Sequence, residues 1–490
     1  MNIPLLSLMT LTPLVGALVL LVLPRDRHGL IRAVALAAAG ISAAAAVAVF
    51  LVYDTVRAGF QLAERLPWLP QIGIDYALAV DGSSVVMLLL TGIVIVTGVL
   101  ISWRVDYRPK DFFALLLLLV AGVYGVFCST DLFFFFFWYE VAVLPMYLLI
   151  AVWGSTNKEY GALKLTLMLV AGSILIWIGL LMLYVASGIN SFDLFRLQHI
   201  TFDPLTQSIA FLLFMIGFGV LAGMWPLHTW SPDGHVAAPT AVSMLHAGVL
   251  MKLGAFGILR IAMTLLPEGA RIWLPVLLVL ATVNVIYGAL SAMSQRDLKY
   301  VIGYSSVSHM GYVLMGLASL SLIGTTGAVL QMFSHGIMTA LFFAMVGVIY
   351  DQAHTRDIAA FRGLICTMPA VSVLFILAGL ASLGLPGLSG FVAEFLVFSG
   401  LAQAQAWLFV VLAVVGVAIT ATYVLRLIAR VFFGPPEAAW RALRDGTPLD
   451  VAAGASLAFV LVAVGLYPAP LIGPIVGSVL PIVRRLGGVE

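Results

Sequence analysis

Charged residues are scarce in this sequence. They account for 9% of its 490 residues, against about 25% in a soluble globular protein. Hydrophobic residues account for 62%, and apolar runs of bilayer-spanning length recur from the start of the chain to about residue 480. This composition excludes a soluble enzyme with a single anchor and predicts an all-α polytopic protein embedded in a lipid bilayer. The formal net charge of +2 says nothing about partners, and we expect no nucleic acid.

Cysteine is rarer still, with Cys128 and Cys366 far apart in the chain. Their number and spacing exclude cysteine-ligated iron–sulfur clusters and zinc sites within this chain. The sequence also lacks a glycine-rich nucleotide-binding loop. His228 and His235 flank Asp233, but no further ligand stands at a zinc-site spacing, so these histidines are expected to shape a helix break. We therefore expect no cofactor and no metal in this chain.

Hydropathy predicts about fourteen membrane spans. The first apolar run has no basic segment before it and no small-residue cleavage site after it, so we interpret it as a retained span rather than a signal peptide. The predicted spans are residues 3–23, 30–53, 83–103, 112–129, 131–152, 160–186, 206–230, 241–264, 272–293, 299–320, 325–350, 370–403, 406–433 and 451–480.

The basic residues predict the orientation of these spans. With the N-terminus outside, fourteen arginines and lysines fall in inner loops and six in outer segments, which satisfies the positive-inside rule. The inner set is Arg25, Arg27, Arg32, Arg104, Arg108, Lys110, Lys158, Arg296, Lys299, Arg356, Arg362, Arg430, Arg441 and Arg444. The outer set is Arg57, Arg65, Arg196, Arg271, Arg484 and Arg485.

Glycine and proline interrupt two of the predicted spans. The seventh contains GFGVLAGMWPLHTWSPDGHVAAP at residues 217–239, and the twelfth contains LGLPGLSGFVAE at residues 383–394. Broken helices at matching positions in two halves of a chain are typical of inverted-repeat transporters, with ion sites at the breaks. The alternative is an ordinary proline kink, but both breaks have ionisable or histidine neighbours.

Glu140 is a carboxylate in the middle of the fifth span. It lies nine helical steps from Asp131, or about 14 Å along a helix. Because the hydrocarbon core is about 30 Å thick, this places Glu140 near its centre. An ionisable group there costs at least about 2.5–3.5 kcal/mol, and chains that keep one commonly use it to move ions or protons.

Lysines occupy two further spans. Lys252 lies about eleven residues, or about 17 Å, from the inner end of the eighth span, which favours a proton-relay role over snorkelling or a structural ion pair. Lys164 lies closer to the inner surface, where snorkelling and relay are both open. Arg260 and Arg426 lie nearer helix ends and are interpreted as snorkelling or structural groups.

The remaining titratable candidates are an acid and three histidines. Glu394 follows the second helix break directly and is expected to pass a proton toward the outer surface. His309 and His335 each sit about ten residues into a span, and His246 precedes Lys252 by six positions. Histidine titrates near neutral pH, which suits a relay, although a lone buried histidine is also common as a hydrogen-bonded core residue. The similar depths of the acids, lysines and histidines, from Glu140 to Glu394, predict one polar axis at mid-membrane.

Six segments of the chain are characteristic of one family: Gly73–Thr91, Phe133–Ile150, Pro226–Met244, Ala247–Arg260, Gln295–Val313 and His354–Asp357. Through them the sequence resembles the antiporter-like membrane subunits of respiratory complex I, and most closely the subunit M (subunit 4) type. The resemblance covers nearly the whole chain. The Val-Asp-Gly-Ser segment before the third span and the HTRD element favour the M type over its L and N relatives.

The resemblance implies fourteen helices with two inverted five-helix repeats, helices 4–8 and 9–13. The corresponding division of the chain is 1–111, 112–264, 265–433 and 434–490. It implies a proton-translocating subunit in the membrane arm of an NADH, or related donor, quinone oxidoreductase of the bacterial inner membrane. FMN, iron–sulfur clusters and quinone would belong to partner subunits. L-type and N-type antiporter-like subunits and small helical subunits would be its neighbours.

The family's functional residues can be matched position by position. Glu140 matches the helix 5 glutamate, Lys252 the helix 8 lysine, His335 the helix 11 histidine and Glu394 the helix 12 glutamate. One position departs, because Leu221 stands where the family carries a helix 7 lysine that pairs with the helix 5 glutamate. We therefore expect Lys164 or His246 to lie within hydrogen-bond or ion-pair reach of Glu140 and to supply the missing charge.

Three other functions remain open from the sequence. The chain could be a subunit of a cation/proton antiporter of the Mrp kind, or a membrane subunit of an ion-pumping hydrogenase. The loss of the lysine at Leu221 also leaves open a structural subunit that no longer pumps.

Overall fold

The computed structural model of the protein describes residues 4–490, which form a helical bundle. Thirteen helices in this range, the last one included, are long and apolar enough to cross a membrane. Setting the last helix aside, and adding Leu298–Ala318 and the two-part helix of Pro369–Ser382 and Ser389–Gln403, gives fourteen membrane helices, of which the seventh and twelfth are in two parts as predicted. The predicted start of the first span at residue 3 lies outside the described residues. The helices are α1 Leu5–Val22, α2 His28–Val52, α3 Gly82–Ile101, α4 Pro109–Cys128, α5 Leu132–Trp153, α6 Lys158–Ser187, α7a Pro204–Ala222, α7b Trp230–Ala237, α8 Thr240–Met263, α9 Pro267–Ser294, α10 Leu298–Ala318, α11 Leu322–Ala353, α12a Pro369–Ser382, α12b Ser389–Gln403, α13 Trp407–Phe432, α14 Pro448–Leu466 and α15 Ala469–Leu486.

The most polar membrane helices lie at the centre of the bundle. The most apolar stretches of α8 and α11 are completely buried. In α10, which carries several serines together with His309 and Lys299, 19 of the 21 residues are buried. The outer helix α13, by contrast, has most of its apolar surface exposed. The bundle thus removes its ionisable side chains from lipid, as the energetic penalty of charge in hydrocarbon requires.

Aspartates at the ends of interhelical segments begin several of these helices. The carboxylates of Asp81, Asp131, Asp203 and Asp297 each accept backbone N–H groups from the first turn of the helix that follows. A helix leaves its first four N–H groups unpaired, and a capping aspartate satisfies some of them. Several of the chain's few charged residues therefore cap helices.

The predicted all-α fold class is confirmed, with one small addition outside the helices. An antiparallel hairpin of β1 (Gln61–Leu69) and β2 (Ile74–Val80) precedes α3. Gly73 closes the hairpin at a φ of 67°, and a Cβ there would overlap the carbonyl oxygen of Asn190. Hydropathy missed the hairpin because charged residues and prolines interrupt its apolar residues. We call the side of the bundle that carries the hairpin the hairpin face, and the other side the opposite face.

The last predicted span, residues 451–480, is in fact two helices. α14 ends at Leu466, and α15 begins after Pro468, which cannot continue a helix. α15 is long and apolar enough to cross a membrane. However, its residues and those just after it contact the hairpin-face ends of three other helices. The Ser478 and Ser83 hydroxyls are 2.6 Å apart, Arg271 donates to the Leu486 carbonyl at 3.2 Å, and Leu322 N–H donates to the Val489 carbonyl at 2.8 Å. Therefore α15 lies along the hairpin face rather than spanning the bilayer.

The predicted division of the chain can be placed on these helices. The boundary after residue 111 falls inside α4, which begins at Pro109. The boundaries after residues 264 and 433 fall between helices, as intended. The assignment of the two central parts as inverted repeats stays a prediction.

A buried ion pair ties α8 to the start of α3 near the hairpin face. The Arg260 guanidinium lies 2.5 Å from the Asp81 carboxylate, and both side chains are almost completely buried. The Phe60 and Phe256 rings lie 4.7 and 5.1 Å from the guanidinium carbon. Arg260 is therefore structural and does not snorkel.

Removal of one member of this pair is expected to destabilise the chain strongly. Arg260→Met leaves the Asp81 charge buried and should cost about 3–5 kcal/mol of unfolding free energy. Asp81→Asn combined with Arg260→Met should recover part of that loss. The control Arg484→Met breaks an exposed pair with Glu490 and should leave the unfolding free energy almost unchanged. Denaturant unfolding of the purified chain measures all three, and equal losses for Arg260→Met and Arg484→Met would contradict the assignment.

Candidate functional site

Lys252 lies in the middle of α8 and is completely buried. Its amine nitrogen donates to the carbonyl oxygen of Ala247 on its own helix. It also lies 2.7 Å from Nδ1 of His335 on α11. The structure thus joins two of the predicted site residues by a direct hydrogen bond across a helix interface.

Two glycines allow α8 and α11 to approach this closely. A Cβ on Gly336 would lie 2.5 Å from the Gly248 carbonyl oxygen, and a Cβ on Gly248 would lie 3.2 Å from the Gly336 carbonyl oxygen. The turn of α8 from His246 to Leu250 is also a π-helical turn, a local widening that is frequent at functional sites. Backbone contact at the glycines therefore brings Lys252 within reach of His335.

The polar series continues from α11 to α10 and α12b. The His335 and His309 ring centroids are 5.4 Å apart. Nδ1 of His309 lies 3.2 Å from Oε1 of Glu394. The amide nitrogen of Gln331, one turn before His335, lies 3.4 Å from both His309 Nδ1 and the Glu394 carboxylate. Lys252, His335, His309 and Glu394 therefore form one series of neighbouring groups, all buried in the bundle. We call this series the polar axis.

The break in helix 12 positions the Glu394 end of the polar axis. Gly384 and Gly387, between α12a and α12b, have φ of 72° and 95°, which residues with side chains rarely adopt. A Cβ on Gly384 would lie 3.0 Å from Oε2 of Glu394. Ser382, the last residue of α12a, places its hydroxyl 2.9 Å from Nε2 of His309. The unwound segment thus gives the carboxylate and the imidazole room to meet.

Two more histidines extend the buried polar region beyond Lys252. The rings of His235 on α7b and His246 on α8 have centroids 4.1 Å apart, and the His246 ring stacks on Trp230 at 5.1 Å. Neither histidine makes a side-chain hydrogen bond within residues 4–490. Both lie within electrostatic range of Lys252. Four histidines and a lysine therefore share the centre of the bundle.

A cavity on the opposite face leads toward this region. Its volume is about 450 Å³, and Arg104, Asp351 and His354 line it together with Lys299. Lys299 is buried on α10, and its amine donates to the Ala238 carbonyl at 2.7 Å, directly after α7b. Lys299 in turn lies within electrostatic range of His235. The cavity therefore connects the opposite face to the histidines through Lys299.

The structure gives Glu140 no cationic partner, so the prediction of Lys164 or His246 at that position is wrong. Oε1 of Glu140 is buried and makes no hydrogen bond within residues 4–490. Its polar neighbour is the Ser173 side chain of α6. Leu221, where the family's lysine was expected, is completely buried. His246 instead stacks among Trp230 and His235.

Helix geometry explains why Lys164 does not reach Glu140. Lys164 lies six residues into α6, about 9 Å from the opposite face, whereas Glu140 lies thirteen residues, about 20 Å, from the end of α5 on that face. The Lys164 amine pairs with the Asp233 carboxylate at 2.7 Å, and the Tyr300 hydroxyl donates to the same carboxylate at 3.0 Å. Lys164 therefore belongs to a partly exposed ion pair nearer the opposite face.

Of the predicted site residues, the structure joins Lys252, His335, His309 and Glu394, places His246 beside Lys252, and leaves Glu140 and Lys164 apart. Their roles stay predictions. The sequence interpretation missed Lys299 and Gln331 and assigned His235 only to the helix break. Gln331 stands four residues before His335, a spacing that puts both on one helix face and offered a usable signal. Lys299 is the second residue of its helix and resembled an ordinary end-of-helix cation.

Two side chains stabilise the break in helix 7, and the first is that of Asn284 on α9. The buried Asn284 side chain donates to the Gly223 carbonyl at 2.8 Å and accepts from the backbone N–H of Trp225. The Trp230 indole donates to the Val220 carbonyl at 2.9 Å. Unwound backbone inside a membrane must be satisfied by protein, and these two side chains do so here.

Known proteins are similar to this chain in both sequence and fold. The sequence pattern of the family described as "NADH:quinone oxidoreductase/Mrp antiporter, TM" matches residues 129–420. The NAD(P)H-quinone oxidoreductase chain 4 2 of Thermosynechococcus vestitus is 41% identical over 475 residues, which cover 95% of this chain and 89% of that protein. This chain belongs to the NADH:quinone oxidoreductase/Mrp antiporter family. The chain 4 protein of Gloeobacter violaceus is 38% identical, with 95% of this chain and 90% of the relative covered.

Solved structures place this family member among membrane complexes. A chain of respiratory complex I from Thermus thermophilus with bound NADH matches it with a TM-score of 0.90 and 28% identity, covering 99% of this chain and all of that one. A chain of the Mrp complex from Dietzia sp. matches with a TM-score of 0.87 over both full lengths, but at 23% identity this likeness shows the fold alone. The chain is thus a multi-pass membrane protein of the antiporter-like type.

The role of Asn284 in this antiporter-like subunit can be tested directly. Asn284→Leu keeps the branched outline of the side chain but leaves the Gly223 carbonyl and the Trp225 N–H unpaired, which is expected to cost about 1–3 kcal/mol of unfolding free energy for each group. Thr282→Val is a matched control, because the buried Thr282 hydroxyl donates only to a carbonyl of its own helix. Thermal unfolding of the two variants should differ clearly in midpoint. A midpoint for Asn284→Leu equal to that of Thr282→Val would contradict the assigned role.

Proposed function

We propose that this chain translocates protons as a membrane-arm subunit of an NADH, or related donor, quinone oxidoreductase. The observation that carries the proposal is the polar axis, in which Lys252 contacts His335 at 2.7 Å and His309 contacts Glu394 at 3.2 Å. The 41% identity to a NAD(P)H-quinone oxidoreductase chain 4 supports it. A chain of titratable groups at membrane depth is costly to keep, and proton relays are a common use for one.

Protons reach the polar axis from the opposite face in this proposal. They pass from the cavity beside Asp351 and His354 to Lys299, and from there through His235 and His246 to Lys252. Because Lys299 lies at the buried end of that cavity, it separates bulk solvent from the histidines. Each group accepts one proton and releases one, so no net charge accumulates over a cycle.

Transfer along the axis then follows the order of the four groups. Lys252 gives its proton to Nδ1 of His335, the Nε2 of His335 releases a proton to His309, and Glu394 takes one from Nδ1 of His309. Glu394 stands at the start of α12b, which runs to the hairpin face, and releases the proton in that direction. Moving one charge against 100 mV takes about 2.3 kcal/mol, which a change of about two pKa units between donor and acceptor supplies.

The proposal assigns the redox chemistry to partner subunits. FMN, iron–sulfur clusters and quinone would lie there, and this chain would respond to charge movements passed on by L-type and N-type antiporter-like subunits and small helical subunits. One surface supports such contacts. Glu140 lies on a face of α5 that exposes Phe137 and Leu144, and it has no cation within residues 4–490. A partner packed on this face supplies the cation that is missing where Leu221 replaces the family's lysine.

The distribution of basic residues supports a defined orientation in the bacterial inner membrane. The N-terminus and the hairpin face lie outside, and the opposite face lies inside, where most arginines and lysines of the loops occur. Protons would therefore move outward, from the cavity at Lys299 to Glu394.

Replacement of Lys252 tests the proposal. In the complete complex reconstituted in vesicles, Lys252→Met should lower the ratio of protons translocated to quinone reduced by this subunit's share, because the relay loses its central group. Lys110→Met is the matched control, since the Lys110 amine contacts only the Leu23 carbonyl at the opposite face. That control should keep the wild-type ratio. An unchanged ratio in Lys252→Met would refute a pumping role and leave a structural subunit.

A further inference from the structure

Four arginines gather at one edge of the opposite face. Two adjoining cavities of about 390 and 610 Å³ share the side chains of Arg426 and Arg430, in the last two turns of α13. Arg296, just after α9, lines the first cavity, and Arg362, between α11 and α12a, lines the second. Helices far apart in sequence therefore deliver their guanidinium groups to one place.

These guanidinium groups are not neutralised within the chain. None of the four forms an ion pair or a side-chain hydrogen bond with any residue in the range 4–490, and all four are exposed. Two carboxylates also line the cavities, Asp357 the first and Glu437 the second. Each cavity thus has three arginines against one acid, so both keep a positive charge that attracts an anion.

Apolar side chains also line the cavities, with Ala292, Met293 and Leu427 in the first and Phe433 in the second. Arg296 and Arg430 stand at helix ends, at the depth of lipid headgroups, and Arg426 lies one turn deeper. Leu290 on α9 and Leu425 on α13 are exposed on the membrane side of these two ends. The two helices pack side by side, so the apolar groove along their contact continues into the hydrocarbon.

We propose that this arginine site binds the phosphodiester headgroup of an anionic phospholipid, with its acyl chains along the groove between α9 and α13. Guanidinium groups bind phosphate oxygens through paired, charge-assisted hydrogen bonds. Basic sites between membrane helices on the inner side are suited to such headgroups. The apolar groove favours a phospholipid over a free phosphate, because a free phosphate has no acyl chains to occupy it.

The test uses the complete complex, stripped of lipid in detergent and then given phosphatidylglycerol or phosphatidylcholine. Native mass spectrometry counts the lipid retained, and thermal unfolding measures the stabilisation. The variant Arg426→Gln/Arg430→Gln removes the two shared arginines. The control Arg25→Gln/Arg27→Gln removes two exposed arginines elsewhere on the same face. Arg426→Lys/Arg430→Lys keeps the charge, and inorganic phosphate serves as the headgroup without chains.

Phosphatidylglycerol should bind the wild type and the Arg25→Gln/Arg27→Gln control alike, and bind Arg426→Gln/Arg430→Gln about thirtyfold more weakly, since each arginine near a membrane surface contributes about 1 kcal/mol. The lysine variant should recover most of the affinity. Equal retention in the glutamine variant overturns the proposal. So does equal binding of phosphatidylcholine, or stabilisation by inorganic phosphate at the same concentration. If the double variant does not assemble, Arg430→Gln alone carries the same comparison with a smaller effect.

Discussion

The hydrogen bond between Lys252 and His335 is the contact on which the rest of the structure depends. It lies where α8 and α11, the two most completely buried helices, touch backbone to backbone at Gly248 and Gly336. A larger residue at either glycine would push the helices apart and separate the amine from the imidazole. The polar axis exists because small residues let two helices approach, so its chemistry is a consequence of packing.

The two helix breaks position the polar residues on either side of the contact between Lys252 and His335. In helix 12, the left-handed glycines free the backbone so that Glu394 reaches His309. In helix 7, the break turns the chain so that α7b carries His235 against His246, and Asn284 satisfies the unwound backbone. Polar groups that would be unstable in lipid are therefore paired within the bundle, stacked in its core as His235 and His246 are, or, like Glu140, positioned beside a surface that a partner can cover.

The number of spans, the two breaks and the depth of each ionisable residue could be predicted from the sequence, because hydropathy, glycine, proline and helix rise determine them. The predicted axis relied on similar depth for its acids, lysines and histidines. Lys252, His335, His309 and Glu394 lie side by side, whereas Glu140 and Lys164 lie apart from them. Depth gives a position along the membrane normal and says nothing about rotation or lateral neighbours. The pairing of Glu140 with Lys164 or His246 was wrong on depth itself, because each of those two residues lies six residues, about 9 Å, from the opposite face, whereas Glu140 lies about 20 Å from it. The hairpin of β1 and β2 and the surface helix α15 depend on contacts between distant segments that no local pattern reports.

The claim that Lys252 and Glu394 belong to one pathway is tested most directly by combining their substitutions. The measurement is the ratio of protons translocated to quinone reduced by the reconstituted complex, for Lys252→Met, Glu394→Gln and the double variant. When two groups belong to one relay, the loss of either one stops the same proton transfer. The account therefore predicts that the ratio falls no further in the double variant than in the more impaired single variant. Losses that add in the double variant would show two independent routes and contradict a single polar axis.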